Sequence, residues 1–598
     1  MMQRRALIGF VLLLAALPLL PLPNFWITQA NYIGLYGTVC VGVVLLTGIG
    51  GLTSFGQAAF VGVGAYATAY LNTSLQVSPW LGLLAGLAIT CVSAWAIGSI
   101  TLRMSGHYLP LATIAWGLSL YYLFGTAQEL GKYDGLGSIA PISLGGIALD
   151  DGRSIYYLIW AVALLAIWLT TNLLDSRPGR AIRALHGGTA MAEAMGVDTA
   201  RYKITAFVLA ALYASVAGWL YAHFQRTVNP TPFGLNMGIQ YLMMAVIGGA
   251  GHVWGALLGA CLMTLLQDKL QFWLPQLMGT SGNIEIIIYG VILVLILQYA
   301  QEGLWPHIAA RFGTRATTPS PRAITSDAGA TVTLSHRSRP AAGTVVLEVQ
   351  AARKQFGGLV AVNDVSFQLK AGDIVGLIGP NGAGKSTMFN LISGLLGLSG
   401  GHVVFNGVPI DGLDVRRTVA LGLGRTFQHV QLIPAMSVLE NVAIGAHLRS
   451  RIPHVIDVAR AMLRLDRARE KALLAEAERQ LRRVGLGDWL QMEAGSLPLG
   501  QQRILEIARA LCTDPFLLLL DEPAAGLRHK EKQALGELLR QLQREGVSVL
   551  LVEHDMDFVM ELTDHLVVME FGTKICEGRP DQVQQDPVVL RAYLGGID

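Results

Sequence analysis

The sequence predicts two halves of different class: an all-α membrane half of about ten transmembrane helices, then a soluble α/β half built around a phosphate loop. Three observations predict this. Nearly all the long apolar runs lie before residue 301, and the charges crowd after residue 345. The chain as a whole is 52% hydrophobic and only 14% charged, against a charged share of roughly 25% in soluble proteins. In the second half, the run Gly379-Pro380-Asn381-Gly382-Ala383-Gly384-Lys385-Ser386-Thr387 follows the strand-like Ile374–Ile378 and precedes the helix-like Met388–Ile392. With 598 residues, the chain is long enough for roughly two to four domains.

The membrane half begins with the apolar stretch 6–28 behind Arg4 and Arg5, a pattern shared by signal peptides and first transmembrane helices. No small-residue cleavage site stands out and further membrane-length runs follow at once, so a helix that stays in the membrane is expected. Runs of about 20 apolar residues follow near 32–50, 55–72, 80–102, 108–127, 155–173, 204–224, 237–250, 253–267 and 284–300. The pair 237–250 and 253–267 is short and broken at Gly248-Gly249-Ala250-Gly251, as a hairpin or a re-entrant element would be. With the N-terminus inside, Arg103 and the group Arg177, Arg180, Arg183, Arg201 and Lys203 all fall on the cytoplasmic side. An even number of spans then returns the chain to the cytoplasm near residue 301.

Two segments of this half invite more than a span. Gly50–Phe60, continuing into Gly62, Gly64 and Ala65, is rich in small residues that let helices approach closely; it reads either as helix packing or as a translocation path with Gln57 exposed to it. Residues 176–203 read either as a basic cytoplasmic loop or as a docking surface for a soluble motor. Residues 308–344, with Ser, Ala, Gly, Pro and Arg but no apolar periodicity, are expected to be a disordered linker. The expected domains are therefore 1–307, 308–344 and 345–598.

The chemistry sits in the second half. A G-x-x-x-x-G-K-S spacing between strand and helix is the fingerprint of a loop whose backbone N–H groups cradle phosphates, with Lys385 bridging the β- and γ-phosphates and the Ser386 hydroxyl on Mg²⁺. Downstream, the apolar strand 516–520 ends in Asp521-Glu522, which suits a carboxylate holding Mg²⁺ and a general base for the attacking water. His554, at the end of another strand, is placed to contact the γ-phosphate. Gln428 suits a metal-linked sensor. ATP and Mg²⁺ are the expected cofactors. The net charge of +3 and the absence of a basic, aromatic-studded patch argue against nucleic acid. Five scattered cysteines with no C-x-x-C indicate neither zinc nor a disulfide framework; apolar filling is their expected role.

Residues 345–598 resemble the nucleotide-binding domain of an ABC transporter: Phe356, the loop 379–387, Gln428, the signature 497–501, the strand 517–522 and His554 occur in that order. The resemblance implies that Phe356 stacks on adenine and that Leu497, Gly500 and Gln501 of one domain close over the nucleotide of another. The signature departs from L-S-G-G-Q at Pro498 and Leu499, leaving the Gly500 backbone and a helix start at Gln501 to meet the phosphate. Leu497–Arg503, Ala524–Leu527, Val552–Met556 and Arg591–Gly595 resemble the ATPases of importers for branched-chain amino acids and for urea, amides and aromatic acids. Gly51–Phe60, Arg103–Leu109, Gly179–Ala184, Ala200–Lys203 and Ile247–Ala256 are similar to one of that system's permeases.

The resemblance implies a natural fusion of permease and ATPase in a bacterial inner membrane, multi-pass, with the ATPase domain cytoplasmic. It implies membrane lipid, a second permease, a second ATPase (or self-association) and a periplasmic binding protein as partners. A half-size exporter shares the order of membrane half then ATPase, but predicts six spans with long charged helices between them. A membrane-tethered regulatory ATPase that moves no solute is the alternative from another class.

Overall fold

The computed structural model describes residues 2–102, 108–278, 284–300, 302–311, 334–450 and 452–594. Residues 103–107, most of the expected linker (312–333) and Gly595 lie outside the described residues. The chain forms two compact units: Met1–Ile182, Ala200–Thr317 and Ala461–Leu463 in the first; Arg183–Thr199, Thr318–Arg460 and Arg464–Asp598 in the second.

The helices of the first half are α1 (Met2–Ala16), α2 (Asn24–Val43), α3 (Gln57–Leu75), α4 (Pro79–Thr101), α5 (Tyr108–Thr126), α6 (Gly152–Leu174), α7 (Arg177–Ala184), α8 (Thr189–Ala194), α9 (Thr199–Gln225), α10 (Leu235–Gly249), α11 (Val253–Met278), α12 (Ile284–Tyr299) and α13 (Trp305–Arg311). Nine of the ten apolar runs fall on one helical segment each, the form that satisfies every backbone group internally where water is absent; the first, 6–28, does not, since α1 ends at Ala16 and α2 starts at Asn24, with Pro18, Pro21 and Pro23 between them removing the backbone donors a continuous helix needs. Among the described residues, six segments are long and apolar enough to cross a membrane: Asn24–Ile49, Pro79–Thr101, Tyr108–Thr126, Gly152–Leu174, Thr199–Gln225 and Val253–Phe272.

Glycines set how closely these helices approach. A Cβ on Gly64 would lie 2.1 Å from the Ser215 carbonyl oxygen, and one on Gly218 would lie 1.9 Å from that of Val61, so α3 and α9 meet backbone to backbone. The same holds at the broken pair, where a Cβ on Gly248 would lie 1.8 Å from the Gly255 carbonyl oxygen and one on Gly259 1.7 Å from that of Met244. The pair is thus a tight helical hairpin of α10 and α11.

Gln57 is 2% exposed. The helix-packing reading of Gly50–Phe60 therefore holds in this conformation, and an exposed Gln57 does not. The loop after α5 carries a short hairpin, β1 (Ile142–Leu144) and β2 (Ile147–Leu149). It is fastened at Ala140, whose N–H donates to Asn72 Oδ1 at 2.7 Å and whose carbonyl lies 2.7 Å from His223 Nδ1.

The second unit contains two sheets. Its strands are β3 (Val345–Phe356), β4 (Leu359–Lys370), β5 (Ile374–Ile378), β6 (Gly400–Phe405), β7 (Val408–Pro409), β8 (Leu423–Arg425), β9 (Leu517–Asp521), β10 (Ser548–Val552), β11 (His565–Glu570) and β12 (Thr573–Gly578). Its helices are α14 (Lys385–Ile392), α15 (Val415–Leu421), α16 (Val438–Gly445), α17 (His454–Met462), α18 (Arg467–Arg483), α19 (Leu499–Leu511), α20 (His529–Arg544), α21 (Met556–Leu562), α22 (Pro580–Gln584) and α23 (Pro587–Leu594).

The larger sheet has the order β12-β11-β5-β10-β9-β8, and β11, β5, β10, β9 and β8 run parallel. All five residues of β5, β9 and β10 are buried, as strands covered on both faces require. The smaller antiparallel sheet has the order β4-β3-β6-β7. α16, α18 and α19 form a separate helical layer around Val438, Leu473, Leu481, Leu497 and Leu505.

Two segments depart from the expected boundaries. Residues 183–199 belong to the second unit, where Arg183 pairs with Glu440 at 3.1 Å and Arg416 pairs with Asp198. Residues 334–344, expected in the linker, include an ordered anchor. The Arg337 N–H donates to Asp514 Oδ2 at 2.7 Å, its guanidinium donates to the Asp514 carbonyl at 2.9 Å, and Arg339 pairs with Asp514 Oδ1 at 3.1 Å. Both guanidinium groups lie 6.0 Å from the centre of the Phe516 ring.

Candidate active site

Four loops converge because four parallel strands end side by side. The phosphate loop follows β5, Asp521 ends β9 with Glu522 just after it, Glu553 and His554 follow β10, and Gln428 follows β8. This is the carboxyl edge of an open parallel sheet, where ligands of α/β folds bind.

The loop 379–387 has the backbone its glycines permit. A Cβ on Gly379 would lie 2.0 Å from the Met569 carbonyl oxygen, and one on Gly384, with φ +94°, would lie 2.4 Å from that of Ala361. Any side chain at either position would push the loop off the sheet. Gly384 caps α14, so Lys385, Ser386 and Thr387 form its first turn, where unpaired N–H groups and the helix dipole favour an anion. Pro380, Asn381, Gly382 and Ala383 complete the curl. Lys385 is 6% exposed, and its ammonium donates to the Gly379 and Pro380 carbonyls at 2.7 and 2.9 Å. Burial lowers its pKa, while Glu522 and Asp521 act in the opposite sense.

At the neighbouring strand end, Glu522 Oε1 accepts from Gln428 Nε2 at 2.9 Å and lies 3.0 Å from His554 Nε2. Glu522 takes a left-handed backbone, φ +49°, unusual outside glycine and common where function holds a residue in place. Asp521 is 4% exposed and its Oδ1 has no hydrogen-bond partner among the described residues. Burial pushes the Asp521 carboxyl up, and the nearby Arg425 opposes this. An orphaned, buried carboxylate oxygen next to a phosphate loop is a donor suited to a hard divalent cation.

Phe356 closes β3 at the tip of the smaller sheet. It is 45% exposed, with Lys354 Nζ 5.1 Å from its ring centre. The signature is not gathered with the other residues. Leu497 is buried in the helical layer, Pro498 caps α19, and that helix begins at Leu499, two residues before the expected start. A Cβ on Gly500 would lie 3.1 Å from both Glu531 carboxylate oxygens, so an acidic side chain flanks the position expected to meet a phosphate. Gln501 Oε1 is buried without a partner among the described residues.

Three residues given no role from the sequence hold the cluster. The Glu553 carboxylate accepts from the Ala524 N–H at 2.5 Å and from the His554 N–H at 3.1 Å, tying the loops after β9 and β10. Arg425 donates to Asn390 at 2.7 Å and to Ser393; burial pushes its pKa down to about 10, and Asp521 opposes this. Arg503 donates to the Phe427 carbonyl at 3.0 Å, one residue before Gln428. A charged residue at the end of an apolar run was the available signal for Glu553. Nothing in the spacing marks Arg503.

Three family matches cover most of the chain. Residues 26–297 match the family described as the permease component of the branched-chain amino acid transport system. Residues 362–525 match the ABC transporter family, and residues 573–598 the branched-chain amino acid ATP-binding cassette transporter family. Among curated relatives, the high-affinity branched-chain amino acid transport ATP-binding proteins LivG of Salmonella typhimurium and BraF of Pseudomonas aeruginosa are each 40% identical over 251 residues, 42% of this chain and 98% of theirs. A probable LivG of Archaeoglobus fulgidus is 37% identical over 254 residues, 42% of this chain and 96% of its own. A crystal structure of a nucleotide-free ATP-binding cassette from an ABC transporter is 32% identical, covering 42% of this chain and 99% of that one with a TM-score of 0.38.

Proposed function

The chain belongs to the branched-chain amino acid ABC transporter family, with a permease and an ATPase fused in one polypeptide, and from this we propose that it couples ATP hydrolysis to uptake of branched-chain amino acids or related small solutes. The fusion itself carries the proposal: an ATPase of this subfamily is continuous with a permease of the same subfamily. Residues 1–307 serve as the permease and 345–598 as the ATPase, in a bacterial inner membrane with the ATPase domain in the cytoplasm. A periplasmic binding protein supplies the solute. A second permease and a second ATPase, or a second copy of this chain, complete the assembly.

In this reading the loop 379–387 holds the phosphates and Phe356 stacks on adenine. Lys385 leaves its loop carbonyls for the β- and γ-phosphates. Glu522 draws a proton from the attacking water, and His554 orients Glu522 and meets the γ-phosphate. Ser386, Gln428 and Asp521 would hold Mg²⁺, which, when bound, neutralises charge on the transferred phosphoryl group. Leu497, Gly500 and Gln501 face the nucleotide of the partner ATPase.

The test is uptake of labelled leucine, urea and a small aromatic acid in cells lacking the gene, with wild-type or Lys385→Ala protein restored. Loss of one uptake, rescued only by wild type, is expected. Unchanged uptake of all three overturns the assignment to this solute class.

A further inference from the structure

We propose that the break between α2 and α3 is a binding site for the carboxylate of the transported solute, with the Gln57 carboxamide and the N-terminus of α3 as its ligands. The inference rests on the import reading above and deepens it: amino acids and other carboxylic acids fit this site, and urea and simple amides do not. α2, α3, α5 and α10 all belong to the first unit. After α2 the chain widens into a π-helical turn, Val44–Ile49, a form frequent at functional sites. Residues 51–56 are not helical, and α3 starts at Gln57. Gly56 stands at the N-cap position with no side chain to cap the helix, and the N–H groups of Gln57 and Ala58 make no hydrogen bond among the described residues. α3 has 19 residues, so its dipole is well developed and its positive end faces the break. α2, α3, α5 and α10 carry no Asp, Glu, Lys or Arg, so no side-chain charge on these helices opposes or replaces that field.

What points to a ligand is Gln57. It is 2% exposed, and neither Nε2 nor Oε1 has a hydrogen-bond partner among the described residues. A carboxamide sealed from water normally finds partners for both ends, because an unmade bond forfeits the whole desolvation cost of the group. At the first position of a helix the Cα–Cβ bond tilts toward the N-terminus, so this side chain projects toward the break and the free N–H groups. A carboxylate there accepts from Gln57 Nε2 and from the backbone, while Oε1 suits the ammonium of an amino acid. Other polar groups of the break are already paired. The Phe55 N–H donates to Thr113 Oγ1 at 3.2 Å, and Thr47 Oγ1 donates to the Leu52 carbonyl at 3.1 Å. These bonds hold the segment and leave Gln57 free. A Cβ on Gly238 would lie 2.2 Å from the Phe55 carbonyl oxygen, so α10 packs directly against the break. Opening of this contact is the step that admits the solute.

The test compares wild type, Gln57→Met and Gln57→Glu in cells lacking the gene, with uptake of labelled leucine, a small aromatic acid and urea. Methionine keeps the length of the side chain and removes both unpartnered atoms. It should therefore leave the Tm of the purified full-length protein unchanged or raised, and cut acid uptake at saturating solute by about 10-fold or more. Gln57→Glu puts a carboxylate where the solute's own must sit, and should abolish acid uptake. Wild-type uptake by Gln57→Met overturns the proposal. So does a fall in its Tm together with lost uptake, which means that the carboxamide serves the fold. Gene-dependent uptake of urea with none of the acids overturns this proposal and leaves the import reading standing. Gene-dependent uptake of none of the three overturns both.

Discussion

Glu553 offers the sharpest test of how the site is held. Its carboxylate is 3% exposed and joins the loop after β9, through Ala524, to the loop after β10, through His554. Each backbone hydrogen bond to a charged acceptor contributes about 1.5–3 kcal/mol, so Glu553→Ala removes about 3–6 kcal/mol of gross interaction. Burial, however, pushes the Glu553 carboxyl up, so its ionised form is held at a desolvation cost that the substitution recovers. A net destabilisation of about 1–3 kcal/mol is the expected balance.

The kinetic consequence should be larger than the thermodynamic one. Glu522 and His554 lie 3.0 Å apart across the two loops that Glu553 joins, and a displacement of about 1 Å at reacting groups costs on the order of 100-fold. Glu553→Gln, which keeps the shape but turns an N–H donor toward backbone N–H groups, should lower kcat by about 10-fold or more while KM for ATP changes by less than about threefold. The phosphate loop has its own anchors and is untouched. Steady-state ATPase rates of the full-length protein in proteoliposomes measure both. An unchanged kcat in both variants, or a rise in KM that accounts for the whole loss, refutes the positioning role.

Other substitutions probe separate parts. Lys385→Ala removes the buried ammonium and should weaken ATP binding by about 10- to 100-fold, read by a fluorescent nucleotide; wild-type affinity would remove Lys385 from the phosphate site. Glu522→Gln should retain ATP binding and lower hydrolysis by about 100- to 10,000-fold in single-turnover assays; wild-type turnover would mean another group is the base. Asp514→Asn should free residues 334–344 for proteolysis at neutral pH, read by mass spectrometry of the fragments. In wild type, burial pushes the Asp514 carboxyl up, but the Arg337 N–H and the Arg339 guanidinium outweigh it and hold the group below its usual value. The stabilisation is therefore complete above the unfolded value of about 3.9 and lost as pH falls through the lower folded value. Cleavage of wild type at neutral pH as fast as in the variant would show that the anchor holds nothing.

Much of this architecture can be read along the chain because its causes are local. A run of about 20 apolar residues is most stable in lipid as a helix, and nine of the ten runs are single helical segments here, the first being broken at its prolines. The loop 379–387 is legible for a similar reason: only glycine fits where the Met569 and Ala361 carbonyls press on the backbone. The end of the expected linker was misplaced because Arg337 and Arg339 carry no periodicity of their own. Their order comes from Asp514 and Phe516, about 175 residues further on. Gln57 is a like case, since neighbouring helices decide its burial.

Composition, periodicity and spacing thus determined the two classes of structure, the phosphate loop and the candidate groups for hydrolysis, since each depends on residues within a few positions of one another. Only the tertiary structure decided that β5, β10, β9 and β8 lie side by side, bringing Lys385, Gln428, Asp521, Glu522 and His554 to one edge. It also decided that Glu553, Arg425 and Arg503 are the groups holding that edge, and that the first turn of α19 lies beside Glu531. Hydrogen bonds between residues tens to over a hundred positions apart leave no pattern along a single chain, because each partner separately is an ordinary polar residue.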